Sequence, residues 1–277
     1  IKIGKKYIEN GSMYIVAEIS ANHNGSINKA KKLIYYAKKS GADAVKIQSY
    51  SPDSMTINSN MKDFRITHPV WKKYKNFYNL YKKGQTPDNW IKELFNYAKK
   101  IKIDIFSTPF DENSIDELEK YNCVAYKIAS PEINHLPLIE KAAKTKKPII
   151  ISTGVAKLED IKLAINTIKK TGNNKIIILK CDSSYPAKFE DANLGAIPFF
   201  KKKFKTLVGY SDHTKDINTA LLSYMYGGCF LERHFNINNN KKTLDSFFSS
   251  DFDNFKEMVH KIRHLEKKNF NYLLSKT

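Results

Sequence analysis

The chain has 277 residues, of which 42% are hydrophobic and 12% aromatic, a composition typical of a globular protein with a large core. No apolar run reaches the roughly 20 residues that span a bilayer, and the first residues lack a signal-peptide core, so we expect a cytoplasmic protein without a membrane partner. The net charge of +19 comes mostly from lysines scattered along predicted helix faces, without a compact basic and aromatic motif. We therefore expect no nucleic-acid partner, but a field that attracts anionic small molecules.

Apolar strand-like runs alternate with amphipathic helical segments along the chain. The predicted strands are residues 13–19, 42–48, 103–108, 125–128, 148–152, 175–181, 206–213 and 227–235. The predicted helices are residues 27–40, 87–101, 112–120, 136–145, 158–171, 194–203, 216–226 and 253–268. Gly41 and Gly172 are natural stops for two of these helices.

This alternation predicts an α/β fold, a TIM (β/α)8 barrel that forms one domain over residues 1–277. A doubly wound fold would have a glycine-rich phosphate loop after the first strand, and residues 20–25 contain none. Residues 50–86 interrupt the alternation and indicate a lid or a binding loop. Cys123, Cys181 and Cys229 lie in or beside strand runs without metal-type spacing, so we expect buried free thiols.

Polar side chains mark the carboxyl ends of the predicted strands, where barrel enzymes place their chemistry. They are Glu18, Lys46, Gln48, Ser107, Thr108, Lys127, Ser130, Glu132, Ser152, Thr153, Ser183, Tyr185, Ser211, His213, Glu232 and His234. The lysines and hydroxyls indicate a site for phosphate and carboxylate groups. In the alternative interpretation, each lysine only extends its charged end to the rim.

The three carboxylates, Glu18, Glu132 and Glu232, are candidates for acid–base work or for holding a metal and its water. The alternative is that each is a buried carboxylate paired with lysine or arginine. His213 and His234 end two neighbouring predicted strands, and neutral imidazole is the commonest ligand of divalent transition metals. They indicate a metal site, and the alternative is that one or both are ordinary polar residues at strand ends.

Eight motifs in order resemble the sialic acid synthase family over residues 13–255. They are AEISANHNG (17–25), AVKIQSYSPDSM (44–55), FSTPF (106–110), AYKIAS (125–130), STG (152–154), YP (185–186), GYSDH (209–213) and LERHF (231–235). The resemblance implies a TIM barrel that condenses phosphoenolpyruvate with an amino-sugar aldehyde and uses a divalent metal, Mn²⁺, Mg²⁺ or Co²⁺.

The resemblance also implies residue roles. His213 and His234 match the metal ligands, and Glu18 and Glu132 match carboxylates near the reacting carbons. The positions that match the phosphoenolpyruvate-binding set, with Gln48 nearby, are Lys46, Thr108, Lys127, Ser130, Ser152 and Ser211. The positions that match residues facing the sugar are Ser183, Tyr185 and Asp245, the last in a stretch whose wording departs from the family's.

Within the family, residues 19–22, residues 48–54 and Ser183 resemble the branch that makes pseudaminic acid from a 2,4-diacetamido-trideoxyhexose. A synthase of N-acetylneuraminic or legionaminic acid is the alternative. Family members usually continue into an antifreeze-like domain that reaches across a domain-swapped dimer. The sequence stops at Thr277 without that domain, either because it is truncated or because the protein works without the module, and a homodimer is an expectation from the family alone. Two rival functions are a Schiff-base aldolase using Lys46 or Lys127, and a non-catalytic sugar- or anion-binding barrel.

Overall fold

The computed structural model describes residues 1–240 and 242–274, and a closed barrel of parallel strands lies at its centre. A short antiparallel hairpin of β1 (Lys2–Ile3) and β2 (Lys6–Tyr7) precedes the barrel. The barrel strands are β3 (Tyr14–Glu18), β4 (Ala44–Ser49), β5 (Asp104–Pro109), β6 (Tyr126–Ile128), β7 (Ile149–Ser152), β8 (Ile176–Cys181), β9 (Leu207–Asp212) and β10 (Phe230–His234). They follow chain order, and β10 pairs with β3 to close the barrel, which confirms the predicted fold.

Helices follow the barrel strands and bury their apolar faces. They are α1 (Ile27–Lys39), α2 (Pro52–Met55), α3 (Phe77–Gly84), α4 (Asp88–Ile101), α5 (Glu112–Glu119), α6 (Leu136–Lys144), α7 (Leu158–Lys170), α8 (Ala196–Phe204), α9 (Asn218–Met225) and α10 (Phe252–Leu274). Ser26 caps α1 by accepting a hydrogen bond from the Lys29 backbone, and Gly41 follows that helix with a φ of 88°. Both predicted glycine stops are confirmed, because Gly172 follows α7 with a φ of 78°.

The isoleucine-rich strands β7 and β8 show why this sequence forms a barrel. Ile149, Ile150, Ile151, Ile177 and Ile178 are all fully buried. β-Branched side chains suit a pleated strand, and a barrel strand buries one face inside the barrel and the other under the helices. Continuous apolar runs, rather than alternating ones, are therefore what the fold requires.

The stretch between β4 and α4 was predicted as a loop, but it contains α2, α3 and two short 3-10 turns. Its side chains Ile66 and Leu80 form a second hydrophobic cluster with Ala21 and Leu244, separate from the main core. The Trp71 indole donates a hydrogen bond of 2.9 Å to the Leu244 carbonyl. The stretch is thus fastened to the loop that follows β10.

The amino-terminal hairpin lies at the amino end of the strands, where the Lys5 backbone donates a hydrogen bond to Asp104. The three cysteines are free and buried, as predicted. In the part of the chain that the structure describes, no helix combines the length and apolarity needed to cross a membrane.

Candidate active site

Most of the predicted polar residues meet at the carboxyl end of the barrel, around a cavity of about 60 Å³. Its lining consists of Lys46, Gln48, Thr108, Phe110, Lys127, Ala129, Ser130, Pro131, Ser152, Cys181, Tyr185, Ser211, His213, Glu232 and His234. The barrel thus brings both predicted histidines, both lysines and the hydroxyls to one small polar chamber. Glu18, Glu132, Ser183 and Asp245 lie outside this lining.

Two lysines and two carboxylates form a buried network at the wall of the chamber. Lys46 forms an ion pair with Glu18, and its Nζ also lies 3.6 Å from Glu232 Oε1. Lys127 Nζ lies 3.1 Å from that same oxygen. Both lysines are only 3% exposed, so the interpretation that they extend to the rim is wrong. The paired interpretation holds for the carboxylates of Glu18 and Glu232.

Burial and ion pairing oppose each other in this network, and burial raises the pKa of Glu18 despite its pair with Lys46. Burial alone would lower the pKa of Lys46, but the carboxylates of Glu18 and Glu232 raise it above its ordinary value. Burial alone would raise the pKa of Glu232, but Lys127 and Lys46 lower it. The lysine Lys46 and the carboxylate Glu232 are therefore both ionised at neutral pH.

Glu132 is in a different environment from the other two carboxylates. It lies in the 3-10 turn Pro131–Asn134 after β6, and burial raises its pKa to about 7. Its Oε2 is buried and has no hydrogen-bond partner among the described residues. A carboxyl group that titrates near neutral pH can both give and take a proton, so Glu132 is suited to acid–base work.

The hydroxyl groups differ in how far the protein already satisfies them. Thr108 accepts a hydrogen bond of 2.9 Å from Lys46, and Ser211 donates one of 3.4 Å to Glu232. The buried Ser152 Oγ has no partner in the described part of the chain, so it is open to a ligand. Ser130 accepts a hydrogen bond of 2.9 Å from the Gly154 backbone.

Gly154 permits a close approach that other residues would prevent. A Cβ atom at this position would lie 2.3 Å from Ser183 Oγ and 3.0 Å from Ser130 Oγ. Ser183 therefore packs against Gly154, and it is not among the residues that line the chamber.

His213 and His234 follow one another around the rim, with ring centroids 5.5 Å apart. His213 Nδ1 donates a hydrogen bond to the Asp182 carbonyl. Ser20 Oγ donates a hydrogen bond of 2.5 Å to Asp245 and so accepts one of 3.2 Å from His234 Nδ1. Because the proton sits on Nδ1 in both rings, both Nε2 lone pairs are available to a metal.

The pKa values of the two histidines are shifted in opposite directions. Burial, with the charges of His213 and Lys46, lowers the pKa of His234 well below its ordinary value. Burial alone would lower the pKa of His213, but Cys181, with Sγ 3.9 Å from Nδ1, raises it together with the Asp182 carbonyl. Protons therefore compete with a metal more strongly at His213 than at His234.

Among the described residues, no group of three or more His, Cys, Asp and Glu side chains is arranged to hold a metal ion. The donor set present is the pair of imidazoles, which fits a catalytic metal that completes its coordination with water or substrate oxygens. Two protein donors are fewer than the three that catalytic zinc sites usually have.

A second, mostly apolar cavity of about 270 Å³ adjoins the first. It shares Gln48, Phe110, Tyr185 and His234 with the smaller chamber. The remaining lining comes mainly from the stretch after β4 and the loop after β10: Ala21, Tyr50, Met55, Trp71, Phe77, Leu80, Tyr81, Gly84, Leu244, Asp245 and Phe248. Asp245 is fixed there by hydrogen bonds from the Ser20 hydroxyl and the Ala21 backbone.

Sequence reasoning missed several residues of the site. Ser20 joins Asp245 to His234, and although it lies in the motif of residues 17–25, no role was predicted for it. Phe248, which lies 4.7 Å from the His234 ring, was missed too, and so was the stacking of the predicted Tyr185 on His213 at 4.2 Å. The density of aromatic residues in the stretch after β4 could have indicated an apolar binding wall.

Comparisons with known proteins agree with the resemblance of the sequence motifs. A model of the NeuB family matches residues 33–271. The pseudaminic acid synthase of Helicobacter pylori is 46% identical over 249 residues, which are 90% of this chain and 73% of that protein. The N,N'-diacetyllegionaminic acid synthase of Campylobacter jejuni is 38% identical over 255 residues, which are 91% of this chain and 76% of that protein.

A solved structure supports the same fold. The crystal structure of an N-acetylneuraminic acid synthetase from Leptospira borgpetersenii, in complex with citrate, superposes with a TM-score of 0.87 at 29% identity. The match covers 96% of this chain and 88% of that one.

Proposed function

The chain belongs to the NeuB family, and on that premise we propose that it condenses phosphoenolpyruvate with a 2,4-diacetamido-trideoxyhexose, releasing phosphate and pseudaminic acid. One observation carries the proposal: a small cationic chamber opens into a larger apolar cavity, and His234, Gln48 and Tyr185 line both. Two different substrates can therefore meet at one wall.

The small chamber suits phosphoenolpyruvate. Lys46 and Lys127 supply fixed positive charge, and the partnerless hydroxyl of Ser152 supplies a donor. Because these groups are held in place before the ligand arrives, they can bind phosphate and carboxylate with little reorganisation. The larger cavity suits the sugar, since its apolar wall can accept the methyl groups of acetamido and deoxy positions while Asp245 offers an acceptor.

In the proposed reaction, carbon 3 of phosphoenolpyruvate attacks the aldehyde carbon of the open-chain sugar and forms the new C–C bond. Water adds to carbon 2, and the tetrahedral centre then expels phosphate by C–O cleavage. Glu132, which titrates near pH 7, manages the proton of the attacking water, and Glu18 is the second candidate for this step. A divalent metal bound by His213 and His234, for which Mn²⁺, Mg²⁺ and Co²⁺ are candidates, would polarise the aldehyde oxygen.

The proposal is tested by phosphate release from phosphoenolpyruvate with a panel of aldehyde amino sugars, each with and without chelator. The expected result is chelator-sensitive release, fastest with the 2,4-diacetamido-trideoxyhexose precursor of pseudaminic acid. Fastest release with a precursor of legionaminic or N-acetylneuraminic acid would assign the chain to those synthases instead. Ligand binding without release would favour a binding protein, and an imine trapped by borohydride at Lys46 or Lys127 would favour an aldolase.

We also propose that the enzyme works in the cytoplasm, where phosphoenolpyruvate is available. The oligomeric state is tested by light scattering on the purified protein, which distinguishes a monomer from a homodimer.

A further inference from the structure

A buried ion pair lies directly before both histidines of the site. Asp212 pairs with Arg233 across β9 and β10, and the two residues are register partners in the barrel. The next residue after each is a histidine of the site, His213 and His234. Each member of the pair is 1% exposed, and Arg233 is among the largest fully buried side chains of the described chain.

The alternation of side chains along the strands separates this pair from the chamber. Ser211 and Glu232, which precede the pair, point inward and contact each other. Since successive side chains of a strand point to opposite faces, Asp212 and Arg233 point outward and the histidines inward again. The ion pair therefore lies behind the wall on which both imidazoles stand, and it does not reach the substrates.

Arg233 links its own strand β10 to the connection after β9 and to the end of the loop after β10. Its guanidinium donates hydrogen bonds to the carbonyls of Thr214 and Asp216 at 2.8 and 3.1 Å, in the connection after β9. Its Nε donates to Ser250, which ends the loop that carries Asp245. Asp212 is held in turn by Thr214 and Thr219.

We propose that Asp212 and Arg233 are positioning residues that fix the separation and ring direction of His213 and His234, and thereby set the affinity of this pair for a divalent cation. The inference rests on the metal site of the proposed function. An arginine is required because its rigid planar group makes several hydrogen bonds at once, in fixed directions. A lysine can keep the charge beside Asp212, but it cannot also bind the carbonyls and Ser250.

The test compares Arg233→Lys with Arg263→Lys. Arg263 forms an ion pair of 2.6 Å with Asp43 at the opposite end of the same barrel, so it is a matched control for losing an arginine–aspartate pair. Two quantities are measured: the affinity for Mn²⁺, from the paramagnetic resonance signal of the free ion, and the histidine ring-nitrogen signals of the metal-free protein in long-range proton–nitrogen spectra.

We expect Arg233→Lys to weaken Mn²⁺ binding at least about tenfold, in the range seen when groups that orient metal ligands are removed. It should also move the ring signals of His213 and His234 alone, and leave phosphoenolpyruvate binding in the presence of chelator unchanged. Arg263→Lys should change neither histidine. Wild-type Mn²⁺ affinity in folded Arg233→Lys, or an equal loss in Arg263→Lys, would overturn the inference.

Two further outcomes are kept apart. If Arg233→Lys does not fold, Ser250→Ala removes only the Nε acceptor and should give a smaller loss in the same direction; unchanged Mn²⁺ affinity in that variant then overturns the inference. If the wild-type protein binds no Mn²⁺, the proposed metal site fails. The histidine signals of the metal-free variants then decide whether the ion pair positions the rings.

Discussion

Lys127 Nζ lies 3.1 Å from Glu232 Oε1, although the two residues come from strands that do not pair in the barrel. Lys46 Nζ approaches the same carboxylate oxygen at 3.6 Å while it pairs with Glu18. Each of the two buried lysines therefore has a carboxyl partner before any ligand binds. An anion that enters the chamber meets lysines whose positions are already fixed.

We predict that replacing one residue of the buried Lys46–Glu18 ion pair destabilises the fold more than replacing both. Lys46→Met should lower the free energy of unfolding by about 3–5 kcal/mol, because it leaves Glu18 buried without its partner. The double variant Lys46→Met/Glu18→Gln should regain part of that loss. Urea unfolding of the two variants and the wild type measures the difference. A double variant less stable than Lys46→Met would contradict this prediction. The control is Lys141→Met, which breaks a surface ion pair with Asp116 and should lower the free energy of unfolding by about 1 kcal/mol or less.

Glu132 predicts a specific dependence of stability on pH. Burial raises its pKa from 4.5 to about 7, so the folded state holds this proton more tightly than the unfolded chain does. The free energy of unfolding therefore falls as the pH rises from about 4.5 to about 7, by about 2 kcal/mol after allowance for the partial exposure of Glu132. Glu132→Gln cannot titrate, so its unfolding free energy should fall less than that of the wild type between about pH 5 and about pH 8. Equal slopes in urea unfolding would refute the raised pKa.

The hydrogen bond from Trp71 to the Leu244 carbonyl should affect binding of the sugar and not of phosphoenolpyruvate. Trp71→Phe keeps the aromatic wall but removes the hydrogen bond to the Leu244 carbonyl. Losing one such bond should raise the sugar KM about two- to tenfold, with the phosphoenolpyruvate KM unchanged. Trp90→Phe is the control, because Trp90 packs against His23 and does not line the cavity. A rise in the phosphoenolpyruvate KM of Trp71→Phe would show that the two cavities are not separate subsites.

A substitution at Gly154 should affect phosphoenolpyruvate binding and not sugar binding, the opposite of Trp71→Phe. The Cβ of Gly154→Ala would press on the Ser130 and Ser183 hydroxyls, which can turn aside without unfolding the barrel. We expect the phosphoenolpyruvate KM to rise about tenfold, as for the loss of one hydrogen bond to a charged group, with little change in the sugar KM. Gly195→Ala is the matched control, since its Cβ would meet no atom within 4 Å. Equal kinetics for the two alanine variants would remove Ser130 from the anion site.

The sequence predicted which residues gather at the rim, because parallel strands in a barrel all end on one side. The placement of Lys46, Lys127, His213 and His234 in one chamber follows from that rule alone. The ion-pair partners could not be predicted from that rule, because Lys127 meets Glu232 only through the curvature and stagger of the closed barrel. Contacts between distant loops were equally beyond local patterns. The bond from Trp71 to Leu244 joins segments that no periodicity relates, and the short hydroxyl of Ser20 gave no sign of its place between Asp245 and His234.

In the proposed reaction, this barrel joins carbon 3 of phosphoenolpyruvate to a sugar aldehyde at the wall formed by His213 and His234. The most direct test runs the reaction in heavy-oxygen water and weighs both products by mass spectrometry, for the wild type and for His213→Ala and His234→Ala. We expect the wild type to make a nine-carbon sugar acid that carries the heavy oxygen, with unlabelled phosphate, and the folded alanine variants to make neither product. Label in the phosphate, or full turnover in both alanine variants, would contradict it.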